Sequence, residues 1–239
     1  MVSVRSDRVL KTRARTGGYA PGQARIAQIL DVALNILIES GYRAVTLREI
    51  ARRCNVHSGA VSYYYKTKDE LMQDLLFRVL DHYEDQFNKV AEDSSLSYED
   101  RFCGILALIL DDITSKQTTR IFPELWALAN HDPFVDRMVD DMYKRAREAL
   151  NIIIGHLNPA LPDAERETVT LFVSAALEGT TMFAGYQKPW TERMPWVIAI
   201  ACKSLLDMVK TVTVDDIRRD PSRFLRHRVP PIVGTSEVA

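Results

Sequence analysis

The sequence predicts an all-α chain of about nine helices. Three observations predict it. No stretch alternates apolar and polar residues as a strand would, glycine-turn hairpin signals are few, and apolar residues recur at three- and four-residue spacing between capping residues. A hydrophobic content of 46% beside 26% charged residues belongs to a folded globular chain, not a disordered one.

Residues 1–22 are polar and hold Gly17, Gly18, Pro21 and Gly22, so they are expected as a flexible basic arm. The first helix is expected from Gln23, with the stripe Ile26, Ile29, Leu30, Ala33 and Leu37, and Gly41 stops it. Thr46 with Glu49 makes a capping box for a short second helix to about Cys54. Asn55 and Val56 form a turn, and a short third helix begins near Ser58. Thr67 with Glu70 is a second box, opening a long fourth helix with Leu71, Leu75, Val79, Tyr83, Phe87 and Val90 on one face. Ser97 with Asp100 caps a fifth, and "RIFPELWALAN" is a sixth that contains Pro123. Asp132-Pro133 opens a seventh, running to about Leu157. The eighth ends near Gly185, and the ninth spans about 194–209. The division expected is an arm at 1–22, a head at 23–67, a body at 68–212 and a mobile basic tail at 213–239.

Charge is unevenly spread. Residues 1–68 hold 12 Lys/Arg against 4 Asp/Glu, and the remainder 19 against 28, so a head of +8 sits on a body of −9. A basic end on an acidic body points to a polyanionic partner for that end alone. Cys54, Cys103 and Cys202 are scattered in sequence, which fits a reducing cytoplasm and neither a disulfide framework nor a metal site. The longest apolar runs reach eight or nine residues, far short of the ~20 that span a bilayer. No signal-peptide core, nucleophile–base spacing, phosphate-binding glycine loop or metal-ligand set stands out, so neither catalysis nor a cofactor is expected.

Three helices in the first 66 residues, the last two joined by a tight turn, describe a helix-turn-helix unit. Such a unit lays its second helix across the phosphates and its third in the major groove. Val56 and Val61 face inward, while His57, Ser58, Gly59, Ala60, Ser62 and Tyr63 are small or polar enough for a close approach to bases. Tyr65 is expected in the core, where it closes the three-helix unit.

The 48 residues "RIAQILDVALNILIESGYRAVTLREIARRCNVHSGAVSYYYKTKDELM" resemble the DNA-binding domain of the TetR family of transcriptional regulators. The likeness rests on the first helix, Gly41-Tyr42, Thr46, Ile50-Ala51, Val56, Gly59, Tyr65, Lys68 and Leu71. It implies phosphate contacts from Thr46 and Arg48, base reading by Ser58, Gly59, Ala60 and Tyr63, and a phosphate grip by Tyr64 and Lys68. Ser62 stands where the family usually has tyrosine, so Tyr63 is expected to share that role.

The resemblance implies a helical body that dimerises and receives a small molecule. The helices near 163–185 and 194–209 carry small residues, Ser174, Ala175, Ala176 and Gly179, beside Ile198, Ala201, Leu205 and Met208, and could form a four-helix bundle with a second copy. An apolar cavity is expected from Phe102, Leu106, Ile109, Phe122, Trp126, Met138, Met142, Phe172 and Met182. Asn130, His131, Glu178 and Thr181 are the polar groups expected to orient a ligand there. The function expected is a homodimeric, ligand-responsive repressor on a palindromic operator. The alternatives are an activator or architectural protein without an effector and, from a different class, a small helical enzyme using His131 and Glu178.

Overall fold

A computed structural model describes residues 20–224, and the arm and tail expectations for residues 1–19 and 225–239 lie outside the described residues. Among the described residues the chain is helices and turns without a strand. Helix α1 (Ala20–Ser40) begins three residues before Gln23. Gly41 ends it with φ +78°, and its amide donates to Leu37 O at 3.0 Å. A Cβ at this position would come within 3.1 Å of the Glu124 carboxylate, so both backbone and space favour glycine. After one 3₁₀ turn come α2 (Leu47–Arg53) and α3 (Ser58–Tyr64). The turn between them places Asn55 at φ +54°, a conformation asparagine tolerates.

Helix α4 (Lys68–Ala91) follows, then α5 (Tyr98–Ile113), α6 (Lys116–Ala129), α7 (Pro133–Leu157) and α8 (Asp163–Gly179). The eighth helix stops earlier than expected, at Gly179, and a separate turn, α9 (Thr181–Ala184), covers the remainder. Helix α10 (Met194–Thr211) closes the body. Residues 213–217, expected in the tail, instead hold a capped turn, α11 (Val214–Ile217). Arg218, just beyond it, pairs with the buried carboxylate of Glu165 on α8, so the chain stays on the body past residue 212.

Caps set the helix starts. Thr46, Thr67 and Ser97 each accept the backbone N–H three residues on. The first two boxes are half-formed: Glu49 turns to Arg52 and Arg53, and Glu70 accepts from the Lys66 amide at 2.7 Å. Asp132 accepts from the amides of Phe134 and Val135 ahead of Pro133, as the sequence predicts. Pro123 lies in the middle of α6, because that helix starts four residues before Arg120; the proline ring costs one intrahelical hydrogen bond there.

Among the described residues, two apolar cores hold the fold. The first joins α1, α2, α3 and the start of α4 to Ile121, Phe122 and Leu125 of α6 and to Val135, Met138, Val139 and Met142 of α7. The second joins Phe87 and Ala91, at the far end of α4, to α5, the later half of α7, α8 and α10. The head is therefore not closed on itself at residue 67. Its core continues into the body, and α4 runs through both.

Tyr65 is fully buried, and its hydroxyl donates to Asp74 Oδ2 at 3.1 Å. Burial, with Asp74 alongside, pushes this phenol well above its ordinary range. We expect Tyr65→Phe to cost about 1–2 kcal/mol, because a buried carboxylate loses a donor while the ring's packing survives. Urea denaturation should show a lower midpoint with an unchanged slope.

Candidate nucleic-acid interface and ligand cavity

Helix α3 is seven residues long and amphipathic. Val61 is buried; His57, Ser58, Gly59, Ala60 and Tyr63 lie exposed on the opposite face, with Ser62 and Tyr64 half-buried at its edges. The three tyrosines are not equivalent: Tyr63 is 65% exposed, Tyr64 packs partly against the first core, and Tyr65 is buried, as expected of it. The rings of Tyr63 and Tyr64 meet edge to face at 5.1 Å, which holds Tyr63 upright on the surface. A Cβ at Gly59 would meet nothing within 4 Å. The protein itself leaves that space open. His57 occupies the N-cap position, but its side chain makes no capping bond.

The cations of the head differ in what they face. Arg52 pairs with Glu49, and Arg53 bridges Glu49 and Glu39. Thr46 and Arg48 are exposed at the start of α2. Lys68, expected on a phosphate, turns inward: Nζ donates to Tyr42 O at 2.7 Å and lies 3.6 Å from the centroid of that ring. Burial lowers its pKa. The Tyr42 amide in turn donates to Glu124 Oε2 of α6 at 3.3 Å, so this loop is held by α4 from one side and α6 from the other.

A cavity of about 170 Å³ opens where α4, α5, α6, α7 and α8 meet. Of the expected ligand residues, Ile109, Phe122, Met142 and Glu178 line it. Trp126 stands one step behind, its Nε1 donating to Tyr143 Oη at 3.1 Å. Phe102 and Leu106 are sealed in the second core, and Met138 is in the first. Asn130 ends α6 and bonds back to Trp126 O. His131 is exposed in the next turn, and Thr181 is buried in α9. Phe172 and Met182, 58% and 59% exposed, point out of the body altogether. Helical spacing gives an apolar face but not what covers it, which is why these assignments differ.

The polar walls come mostly from residues the sequence reading passed over. Tyr83 Oη lies 2.6 Å from Thr118 Oγ1, which donates to Asp112 Oδ2 at 2.5 Å. Burial pushes both Tyr83 and Asp112 above their ordinary values. The Tyr83 and Phe122 rings meet at 5.1 Å. At the opposite wall Trp126, Tyr143 and Glu178 form a hydrogen-bonded series. Burial raises Glu178 to about 7, with the Tyr143 hydroxyl opposing the shift. Arg145 is the cation of the lining and lies 3.3 Å from Glu84. Tyr83 was visible in the α4 stripe; Tyr143, within the charged stretch "DDMYKRARE", gave no signal of its own.

Glu178 makes the fold's stability depend on pH. Its folded value near 7 lies above the ordinary 4.5, so the folded state holds a proton that the unfolded chain releases between these two values. Stability from this group is complete below about pH 4.5 and falls as pH rises toward 7. Glu178→Gln keeps an acceptor for Tyr143 and cannot ionise. It should be more stable than wild type by about 2–3 kcal/mol at pH 8 and equal to it at pH 4, read from paired urea titrations.

The comparisons with known proteins agree with this geometry. Residues 29–75 match the family described as bacterial regulatory proteins, tetR family, and residues 99–207 match the BetI-type transcriptional repressor, C-terminal domain. The HTH-type transcriptional regulator BetI of Burkholderia cenocepacia is 25% identical over 161 residues, covering 66% of this chain and 80% of that one. A transcriptional regulator from Rhodococcus superposes with a TM-score of 0.66 at 19% identity, covering 79% of this chain and 99% of that one. One from Saccharomonospora viridis, solved in complex with choline, gives 0.63 at 15% identity, covering 79% and 96%. These relatives are regulators, which sets aside the enzyme alternative. The chain belongs to the TetR family of DNA-binding transcriptional regulators, and its body is similar to the C-terminal domain of BetI-type repressors.

Proposed function

We propose that this regulator is a ligand-responsive repressor that works in the cytoplasm as a homodimer on a palindromic operator. The observation that carries the reading is the course of α4: three residues separate it from the end of α3, its first half shares the core of the head, and its later part, His82 to Asn88, walls the cavity. A molecule in the cavity therefore touches the same rigid element that carries the reading head. A ligand that binds one setting of α4 more tightly than the other shifts the population toward that setting. In the dimer the two α3 helices must lie roughly 34–36 Å apart, or a multiple of that, to enter successive major grooves. Ser58, Gly59, Ala60 and Tyr63 would meet bases, and Thr46, Arg48, Tyr64 and the remaining N–H groups of Lys68 would meet phosphates.

The dimer face we propose is the outer side of α8 and α10. Leu171, Phe172, Ala175, Ala176 and Gly179 lie exposed along α8, and Trp196, Ala199 and Ile200 along α10. Large exposed apolar side chains beside small ones suit close helix packing with a second copy. Ile200→Glu should place a charge in that contact. Light scattering should then give about half the wild-type mass, with helical content unchanged and DNA affinity reduced at least tenfold.

The effector we propose is a small organic cation. Three carboxyls, Glu84, Asp112 and Glu178, line the cavity against one guanidinium, which already faces Glu84. Tyr83, Phe87, Phe122 and Tyr143 supply aromatic walls, and such walls with carboxylates are the chemistry that receives an ammonium ion. The volume suits a molecule of about ten non-hydrogen atoms or fewer, and a structural neighbour was solved with choline. Gel-shift assays on DNA from upstream of the gene test this, with choline and tetramethylammonium as probes. Either probe should release the DNA, and more of it should be needed at pH 6 than at pH 8, since a proton on Glu178 competes with the cation. Glu178→Gln should bind DNA normally and respond at least tenfold less. Equal responses in wild type and variant would exclude a cation at this site.

A further inference from the structure

The fold brings together two thiols that are scattered in the sequence. Cys103 is on α5 and Cys202 on α10, 99 positions apart, yet Cys103 Sγ lies 4.0 Å from Cys202 O and Cys202 Sγ 3.6 Å from Cys103 O. Two side chains that each reach the other's main chain must lie side by side across the helix contact. Both residues are partly exposed, whereas Cys54 is buried in the head. The interface around them is the close packing of α5 on α10, lined by Val197, Ile198, Ala201 and Leu205 from the α10 side. Each sulfur makes a long contact to a carbonyl that its own helix already satisfies, and the two thiols also face one another.

We propose that Cys103 and Cys202 are a modification site: an oxidant of the hydroperoxide class closes them to an intrachain disulfide that ties α10 to α5. The Cys202 thiolate attacks a peroxide oxygen. The O–O bond breaks, the leaving alkoxide takes a proton from water to become the alcohol, and Cys202 becomes a sulfenic acid. Cys103 then attacks that sulfur, an S–S bond forms, and the sulfenic hydroxyl leaves as water with the thiol's proton. Two thiols lose two electrons and one hydroperoxide gains them. The order follows from the surroundings. Burial, then the neighbouring Cys202, hold the Cys103 thiol up to about 11, so it is protonated at neutral pH and is the resolving partner. The bond would join a wall of the cavity, through Ile109 and Asp112 on α5, to the helix that exposes Trp196 and Ile200.

The test uses the reduced full-length protein and cumene hydroperoxide. Intact mass should fall by about 2 Da per chain. A tryptic digest without reductant should join the peptide of residues 102–116 to that of residues 194–203. The melting temperature should rise by roughly 5–10 °C and return with dithiothreitol. With dimedone present, Cys103→Ser should carry the label on Cys202, and Cys202→Ser should carry none on Cys103. An unchanged wild-type mass, a link that includes Cys54 or joins two chains, or labelling of Cys103 in Cys202→Ser would overturn the proposal. The wild-type mass and peptide map stand without either variant.

Discussion

The rest of the structure depends on α4 passing through two cores without a break. Its first half buries Leu71, Leu75, Leu76, Val79 and Leu80 against the head, and its last turns bury Phe87 and Ala91 in the body. A helix has few soft degrees of freedom along its length, so neither core can repack while the other holds α4 unless the helix tilts as a whole. The start of this rod is fixed twice. Thr67 caps it, and Tyr65, immediately before, is tied to Asp74 two turns in. The cavity lies beside the later part of α4, where residues 82–88 line it as the helix enters the second core.

Helix α6 gives a second connection between the same two places. Thr118 and Phe122 line the cavity, and Glu124, half a turn on, accepts from the Tyr42 amide in the loop before α2. Lys68 grips the carbonyl of that same residue. The Tyr42 peptide is therefore held at its N–H by α6 and at its C=O by α4, and any relative shift of the two helices strains this loop. Gly41 allows the approach, since a side chain there would press on the Glu124 carboxylate. The constraint explains why the inward turn of Lys68 matters: a cation that could wholly serve a phosphate instead sits at a junction, part of its bonding capacity already used.

Much of the fold was legible because caps and periodicity are local. Thr46, Thr67, Ser97 and Asp132 mark helix starts through side-chain oxygens that reach amides two or three residues away, and no tertiary information is needed to see them. The cavity was less legible because its chemistry is assembled across helices. Ile109, Phe122, Met142 and Glu178 were found through size and polarity, but Phe172 and Met182 have the same size and face outward. One amphipathic face looks like another until its neighbours are known. Tyr143 matters through Trp126 and Glu178, which are 17 and 35 positions from it, and Asp112 through Thr118 and Tyr83. The meeting of Cys103 with Cys202 belongs to the same class.

Charge counting describes the head as a whole and says nothing of what each cation faces. The excess of +8 over residues 1–68 is a property of the sequence, and it suits a polyanion. Yet Arg52 and Arg53 are held by Glu49 of α2 and Glu39 of α1. The same contacts, the Arg52 and Arg53 hydrogen bonds first, depress Glu49 to about 2, so it is ionised at neutral pH. Exposed ion pairs of this kind add little stability. Their effect is local: both guanidinium groups are held by partners on α1 and α2, while Ser58, Gly59 and Ala60 on α3 carry no charge. Under the proposed reading, an uncharged α3 within a basic head lets phosphates attract while bases are read.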